Sequence, residues 1–398
     1  MSELRSAPPV APARPRHVAA LDVVRGAAIT GVLLFHTGHL PGGFLGVDLF
    51  FVLSGHLITD LLLREAAATG RVSLAAFWGR RIRRLLPALA VMLAVVTAVT
   101  WAVAPPGLVR TTLADLPWAQ LQLFNWHLIA ESSDYWDRFG QDRVFEHLWS
   151  IAVEEQFYLV WPALVAVFAL GWRRVDRPVA AAAGLVSVFS VLFMALGADP
   201  SRVYMGTDTR AFSLLLGALV AAPAVRRGLV RACGRRPGAA AALAASGIGA
   251  MWLLVDGTGG PWLFDGGLFA HALLSAVLIA LLASAPDAGW PRALAARPLR
   301  WLGLVSYSLY LWHWPVIVLL SPEATGFGRW SWTALVCAVS IALAAVSKYL
   351  VEDPIRYRAG WARGRRGALA LTAAMVALAL LWTLLPEPAP PVVDVGGL

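Results

Sequence analysis

An arginine and a histidine, Arg25 and His36, stand eleven residues apart in the first apolar run, LDVVRGAAITGVLLFH. Eleven residues make about three helical turns, so both side chains leave a helix from nearly one face, roughly 16 Å apart along its axis. An ionisable side chain inside a membrane span is costly and marks a functional site by default. The bland account is that Arg25 snorkels to the interface while His36 bonds a nearby carbonyl. Finding both on one face weakens that account. A histidine in such a place suits general-base chemistry, or nucleophilic attack through an acyl-histidine. His39 would bind a metal only if carboxylates joined it, and no metal is expected.

Further candidates follow along the chain. GFLGVDLFFVLSGHLI brings Asp48 to the outer end of the second run, where a carboxylate beside His36 would fix its tautomer. The alternative for Asp48 is a helix-end residue facing the interface. Gly55 suits close helix packing. FWGRRIRRLLPAL carries Arg80, Arg81 and Arg84 at helical spacing, either a bidentate phosphate grip or an anchor on anionic lipid. EHLWSIAVEEQFYLVWP places Glu154 and Glu155 within hydrocarbon, where one must be protonated or paired. Depth reasoning groups these glutamates with His36 and Asp48, and the arginines at the opposite end. The expectation is a phosphate grip inside and an acid/base cluster outside. GTDTRAFSLLLG adds Asp208 and Arg210 at an outer helix start. SYSLYLWHWP adds Tyr307, Tyr310 and His313, with His313 read as a helix–helix hydrogen bond. VEDPIR offers Glu352 and Arg356 as an interfacial ion pair.

The elements that must hold these residues are membrane helices. Hydrophobic residues make up 59% of the 398, charged residues 14%, and the mean hydropathy is +0.67. A soluble domain has nearer a quarter charged residues. Runs of about 20 apolar residues are expected at 19–39, 44–63, 86–104, 148–170, 179–197, 209–224, 239–256, 264–285, 301–320, 331–351 and 367–385. The fold class is therefore all-α, a polytopic transmembrane bundle of about 10–11 spans. Of the 33 Lys and Arg residues, 25 fall in the segments of one side and 5 in those of the other. The positive-inside rule then puts the N-terminus in the cytoplasm of a cell-membrane protein and, with eleven spans, the C-terminus outside. The net charge of +9 belongs to loops facing anionic lipid, and no nucleic-acid partner is implied. Residues 1–17 read as a disordered tail, 70–87 as a basic amphipathic stretch along the inner surface, 105–147 as an outer loop able to form a cavity or lid, and 386–398 as a short tail. Cys233 and Cys337 do not pair.

With these motifs in hand, the chain resembles the acyltransferase-3 family of bacterial membrane O-acyltransferases over 18–358, with 359–385 an additional helix. LDVVRGAAITGVLLFH, GGFLGVDLFFVLSG, FWGRRIRRLLPAL, HLWSIAVEEQFYLVWP, TDTRAFSLLLGALV, SYSLYLWHWP and VEDPIR occur in order. The resemblance implies transfer of an acyl group, often acetyl, from cytoplasmic acyl-CoA to a hydroxyl of a sugar, surface glycan, lipid-linked intermediate or small secreted product. It implies acyl-CoA as donor substrate and no tightly bound cofactor. The family's arginine–histidine pair falls on Arg25 and His36, its arginine pair on Arg81 and Arg84, and its glutamate motif on Glu154 and Glu155. Family members commonly carry phenylalanine where this chain has His56, a change expected to alter the pocket or add a hydrogen bond. With the chain ending at Leu398, the likeness is to the form without a C-terminal esterase-like domain. Either such a protein acts alone or a separate extracytoplasmic partner completes the transfer. The rival readings are a transporter or flippase with a buried proton relay, and a scaffold for glycan assembly.

Overall fold

The computed structural model describes residues 18–136, 143–197, 199–256, 260, 262–285, 296–362, 364–386 and 388. The tails at 1–17 and, almost entirely, 386–398 lie outside the described residues. Helices follow in the order α1 (Ala19–His36), α2 (Gly46–Thr69), α3 (Leu74–Val103), α4 (Pro106–Gln120), α5 (Phe124–Ala130), α6 (Leu148–Gly171), α7 (Asp176–Leu196) and α8 (Pro200–Met205). Then come α9 (Thr207–Ala221), α10 (Pro223–Ala232), α11 (Pro237–Leu254), α12 (Leu268–Ser284), α13 (Arg297–Leu319), α14 (Pro322–Thr325), α15 (Arg329–Val346) and α16 (Gly364–Thr383). No strand occurs among the described residues.

Among the described residues, ten helices are long and apolar enough to cross a membrane, and α9 with α10 makes an eleventh if that bent pair counts as one span. The bundle is that of a multi-pass membrane protein. Long apolar side chains such as Leu159, Val160, Leu170 and Leu196 stay exposed on its outside, as lipid contact requires and water would penalise. The run expected at 209–224 corresponds to α9, whose 15 residues end where the axis turns by 84° into α10. Pro223 at the first position of α10 starts the new helix, and α10 carries Arg226, Arg227 and Arg231.

One expectation fails here. The stretch 70–87 does not lie apart from the third span, because α3 is a single 30-residue helix beginning at Leu74. Ser73 caps it, its hydroxyl accepting from the Ala76 N–H at 3.4 Å. Pro87 sits inside the helix without ending it. The arginines consequently ride on the first turns of a span.

Two close helix pairs set the frame, α1 with α13 and α2 with α9. A Cβ on Gly55 would fall 1.8 Å from the Leu214 carbonyl oxygen, and one on Gly217 would fall 1.9 Å from that of Val52. Glycine at both positions is what lets the two backbones meet. His56, beside this crossing, is buried and absent from the walls of the cavities below, so the expected change to the pocket does not arise.

Candidate active site

Four helices turn a heptad-like row of side chains towards one passage between them. α1 supplies Arg25 and His36. The next helix, α2, supplies Val47 and Ser54. The start of α6 supplies His147 and Glu154, and α13 supplies Tyr307, Tyr310 and Trp314. Separations of three, seven and eleven residues return to nearly the same azimuth of an α-helix, which is why each helix contributes at two levels. The levels are two chambers. Tyr310 and Val47 line both and form the partition between them.

The histidine chamber, termed outer after the charge bias of the sequence, measures about 20 Å³ and holds His36, His147, Glu146, Tyr135 and Trp314. That is room for about one water. Tyr135 and Glu146 come from the long outer loop, so that loop does wall the cavity. Three histidines converge here. The His313 ring centroid lies 5.1 Å from that of His36 and 5.4 Å from that of His147. Their hydrogen bonds determine their tautomers. The Tyr310 carbonyl can only accept, so His313 Nδ1, 2.7 Å away, carries a proton. In neutral His313, Nε2 is then an acceptor, and His36 Nδ1, 3.1 Å from it, must donate. His36 Nε2 is left with its lone pair and no hydrogen-bond partner among the described residues. Likewise His147 Nε2 donates to the Leu311 carbonyl at 3.1 Å, which leaves its buried Nδ1 unpartnered. An acceptor on one ring nitrogen that fixes tautomer and ring orientation is the usual support of a basic imidazole. Among the described residues, no group of three His, Cys, Asp or Glu side chains is placed to hold a metal ion. His39 lies elsewhere, its Nε2 2.8 Å from Thr333 Oγ1 and its ring stacked on Trp330.

The inner chamber, about 80 Å³, is lined by Arg25, Arg81, Arg84, Ser54, Glu154 and Tyr158 among others. Ser54 Oγ donates to one carboxylate oxygen of Glu154 and Tyr158 OH to the other, each at 2.9 Å. None of the three guanidiniums has a carboxylate within 4.0 Å among the described residues, and the buried Nε atoms of Arg25 and Arg84 lack partners. Arg81 instead lies over the rings of Tyr158 and Phe77. Partly buried guanidiniums with no carboxylate in ion-pair contact prepare a site for an anionic ligand. Tyr307 OH on the Leu85 carbonyl and Trp78 Nε1 on the Tyr158 carbonyl tie α3 into this wall, at 2.9 and 3.0 Å.

The expected outer acid/base cluster is corrected on three counts. Asp48 does not reach His36. It faces α9, fully buried, accepting from Arg210 Nη2 at 2.5 Å and from Ser213 Oγ at 2.7 Å. Glu154 belongs to the inner chamber, among the arginines. Glu155, one residue or about 100° further round, lines an adjoining groove between α3 and α6 with Leu86, Leu89 and Gln156, whose wall shares Arg81 and Tyr158 with the inner chamber. Arg80 keeps to the mouth below the inner chamber, 3.5 Å from Glu65. Arg25, His36, Arg81 and Arg84 stand where sequence reasoning set them relative to one another. It gave Tyr310 and His147 no part in the site and did not single out Tyr158. His313, read as a helix–helix bond, makes that bond to His36 itself.

Sequence comparison matches residues 18–349 to the acyltransferase domain of the acyltransferase-3 family. The chain belongs to that family. It is 36% identical over 352 residues to "Peptidoglycan O-acetyltransferase OatA" of Listeria monocytogenes, covering 86% of this chain and 56% of that protein. It is 35% identical over 357 residues to "O-acetyltransferase OatA" of Staphylococcus aureus, covering 86% of this chain and 58% of that one. The chain thus spans little more than half the length of these relatives. No solved structure matches it. Membership of an acyltransferase family removes the support for the transporter reading.

Proposed function

We propose that this membrane acyltransferase carries an acyl group, acetyl in the first instance, from an acyl-CoA at the arginine end of the passage to a hydroxyl at the histidine end. The carrying observation is the placement of Arg25 and His36 on one face of α1 with the Tyr310 partition between their chambers. Arg25, Arg81 and Arg84 receive the anionic part of the donor. Its pantetheine arm runs along the α1–α2–α6–α13 passage, and the thioester reaches the partition. His36 Nε2 takes the proton of the acceptor hydroxyl as its oxygen attacks the thioester carbonyl. The carbon–sulfur bond then breaks, the thiolate takes the proton back from the imidazolium, and free CoA and an ester result. His313 holds the positive imidazole by accepting from its Nδ1–H.

Charge bias supports the orientation, with the arginine end cytoplasmic and the acceptor outside. The names of the relatives favour a cell-wall glycan as acceptor. Purified protein in nanodiscs, supplied with acetyl-CoA and peptidoglycan fragments, should release free CoA thiol and form O-acetyl ester. The His36→Ala variant, folded and at equal concentration, should do neither. Undiminished release by that variant would refute the role of His36, and absence of release from the wild type with any hydroxyl acceptor would refute the donor.

A further inference from the structure

Below the inner chamber lies a second, larger cavity of about 430 Å³, bounded by Arg80, Arg81, Arg83, Arg84, Arg356 and Tyr357. Arg81 and Arg84 line both cavities, so the two adjoin. Four of these arginines come from α3. The fifth, Arg356, comes from the irregular helical turn Pro354–Arg358, 272 residues beyond Arg84 in the chain. Its only close carboxylate among the described residues is Glu352, 3.6 Å away and shared with Lys348 at 3.5 Å. The Arg356 guanidinium stands 4.7 Å from the Tyr357 ring centroid, and Tyr357 is 57% exposed.

We infer that this vestibule holds the phosphorylated nucleoside end of the thioester donor, with Arg356 and Tyr357 as binding residues outside the arginine motif of α3. The inference rests on the donor proposed above and deepens it. Five guanidiniums around one opening exceed what a lone phosphate needs and match a ligand bearing several. Arginine forks bind phosphate oxygens bidentately, and a guanidinium stacked on a phenol ring extends to a purine face. The volume falls in the range of sites that take drug-sized ligands, whereas the inner chamber admits only a slender arm. A terminal 3′-phosphate would lie nearest Arg356, and the diphosphate nearest Arg81 and Arg84. Phosphates of anionic lipid headgroups share this chemistry, and the test separates the two sources.

The test compares wild type and Arg356→Ala on acetyl-CoA, acetyl-3′-dephospho-CoA and acetyl-pantetheine, in nanodiscs of zwitterionic lipid with and without anionic lipid. One charge-assisted contact corresponds to a KM rise of about tenfold for acetyl-CoA. The wild-type to variant ratio of kcat/KM should shrink for the dephospho donor and approach one for acetyl-pantetheine. Arg356→Lys should restore part of the loss, and a melting curve verifies folding of each variant. An equal ratio for all three donors, or a ratio that appears only with anionic lipid, would overturn the inference. Should the wild type cleave none of the thioesters, the donor itself is wrong and this inference goes with it. Cleavage by the wild type with an unchanged KM in Arg356→Ala refutes the vestibule alone.

Discussion

His313 Nε2 accepts from His36 Nδ1 at 3.1 Å, and His313 Nδ1 donates to the carbonyl of Tyr310 three residues earlier on the same helix. A turn of α13 thus determines which nitrogen of a histidine on α1 carries the proton. His313→Ala should lower kcat by about 10²-fold, the scale of a misdirected general base, while the KM for acyl-CoA moves little. Steady-state kinetics at several donor concentrations read this directly. A rise in KM without loss of kcat would show that His313 serves the donor instead.

Arg81 and Arg80 are neighbours in sequence with opposite expectations. Arg81 faces the inner chamber without a carboxylate partner, whereas Arg80 is half-exposed beside Glu65. Arg81→Ala should raise the KM for acyl-CoA by about tenfold or more, and Arg80→Ala by clearly less. Isothermal binding of CoA to the two variants gives the same ordering without turnover, and equal affinities would contradict it.

Asp48 serves the fold. Removing one partner of a fully buried pair leaves an uncompensated charge, at a cost of about 3–5 kcal/mol. Asp48→Ala should therefore lose most of its folded yield and melt earlier by fluorescence-detected chromatography. The double variant Asp48→Leu, Arg210→Met should recover much of that loss. If instead Asp48→Ala folds normally and loses kcat, the carboxylate acts on the reaction after all.

Outside the spans, Asp115 of α4 accepts from Arg143 Nη1 at 2.5 Å and lies 3.1 Å from His127 Nε2, with Glu131 also on Arg143. Burial pushes the Asp115 carboxyl up to about 7 from its ordinary 3.8, against the pull of Arg143. The folded chain then keeps, between about pH 4 and 7, a proton that the unfolded chain has released. The contribution of Asp115 to stability therefore falls as pH rises through that window and is level above it. Asp115→Asn does not ionise, so the melting temperature of wild type relative to this variant should decline from pH 4.5 to 7. The opposite slope would mean that the Arg143 pair outweighs burial.

How much of this was legible in the sequence differs between depth and azimuth. Apolar runs and charge bias mark out the spans and the Arg25–His36 separation, although depth alone grouped Glu154 with His36 when it lies among the arginines. Rotation about each helix axis depends on partners far along the chain. Asp48 and Ser54 share α2, yet they lie about 120° apart, one towards Arg210 and the other towards Glu154. Glu154 shares its azimuth with His147 seven residues back, a spacing visible in EHLWSIAVEE that links the two chambers. The same reasoning on SYSLYLWHWP puts Tyr307, Tyr310 and Trp314 on one face. The His36–His313 bond, across 277 residues, carries no such local signal.

The Tyr310 partition has an electrical consequence. Its hydroxyl is held by Ser150 at 2.6 Å and by the His147 carbonyl at 3.1 Å, so the barrier between the chambers is about one phenol ring thick. Whatever part of the transmembrane voltage falls between the two chambers would act across that ring. Under the proposed reaction an acyl group crosses it towards the acceptor and the hydroxyl proton crosses back to the thiolate, an exchange without net charge, and the charged phosphates stay behind. Transfer should then proceed at the same rate in polarised and depolarised vesicles, with the membrane remaining sealed to ions throughout.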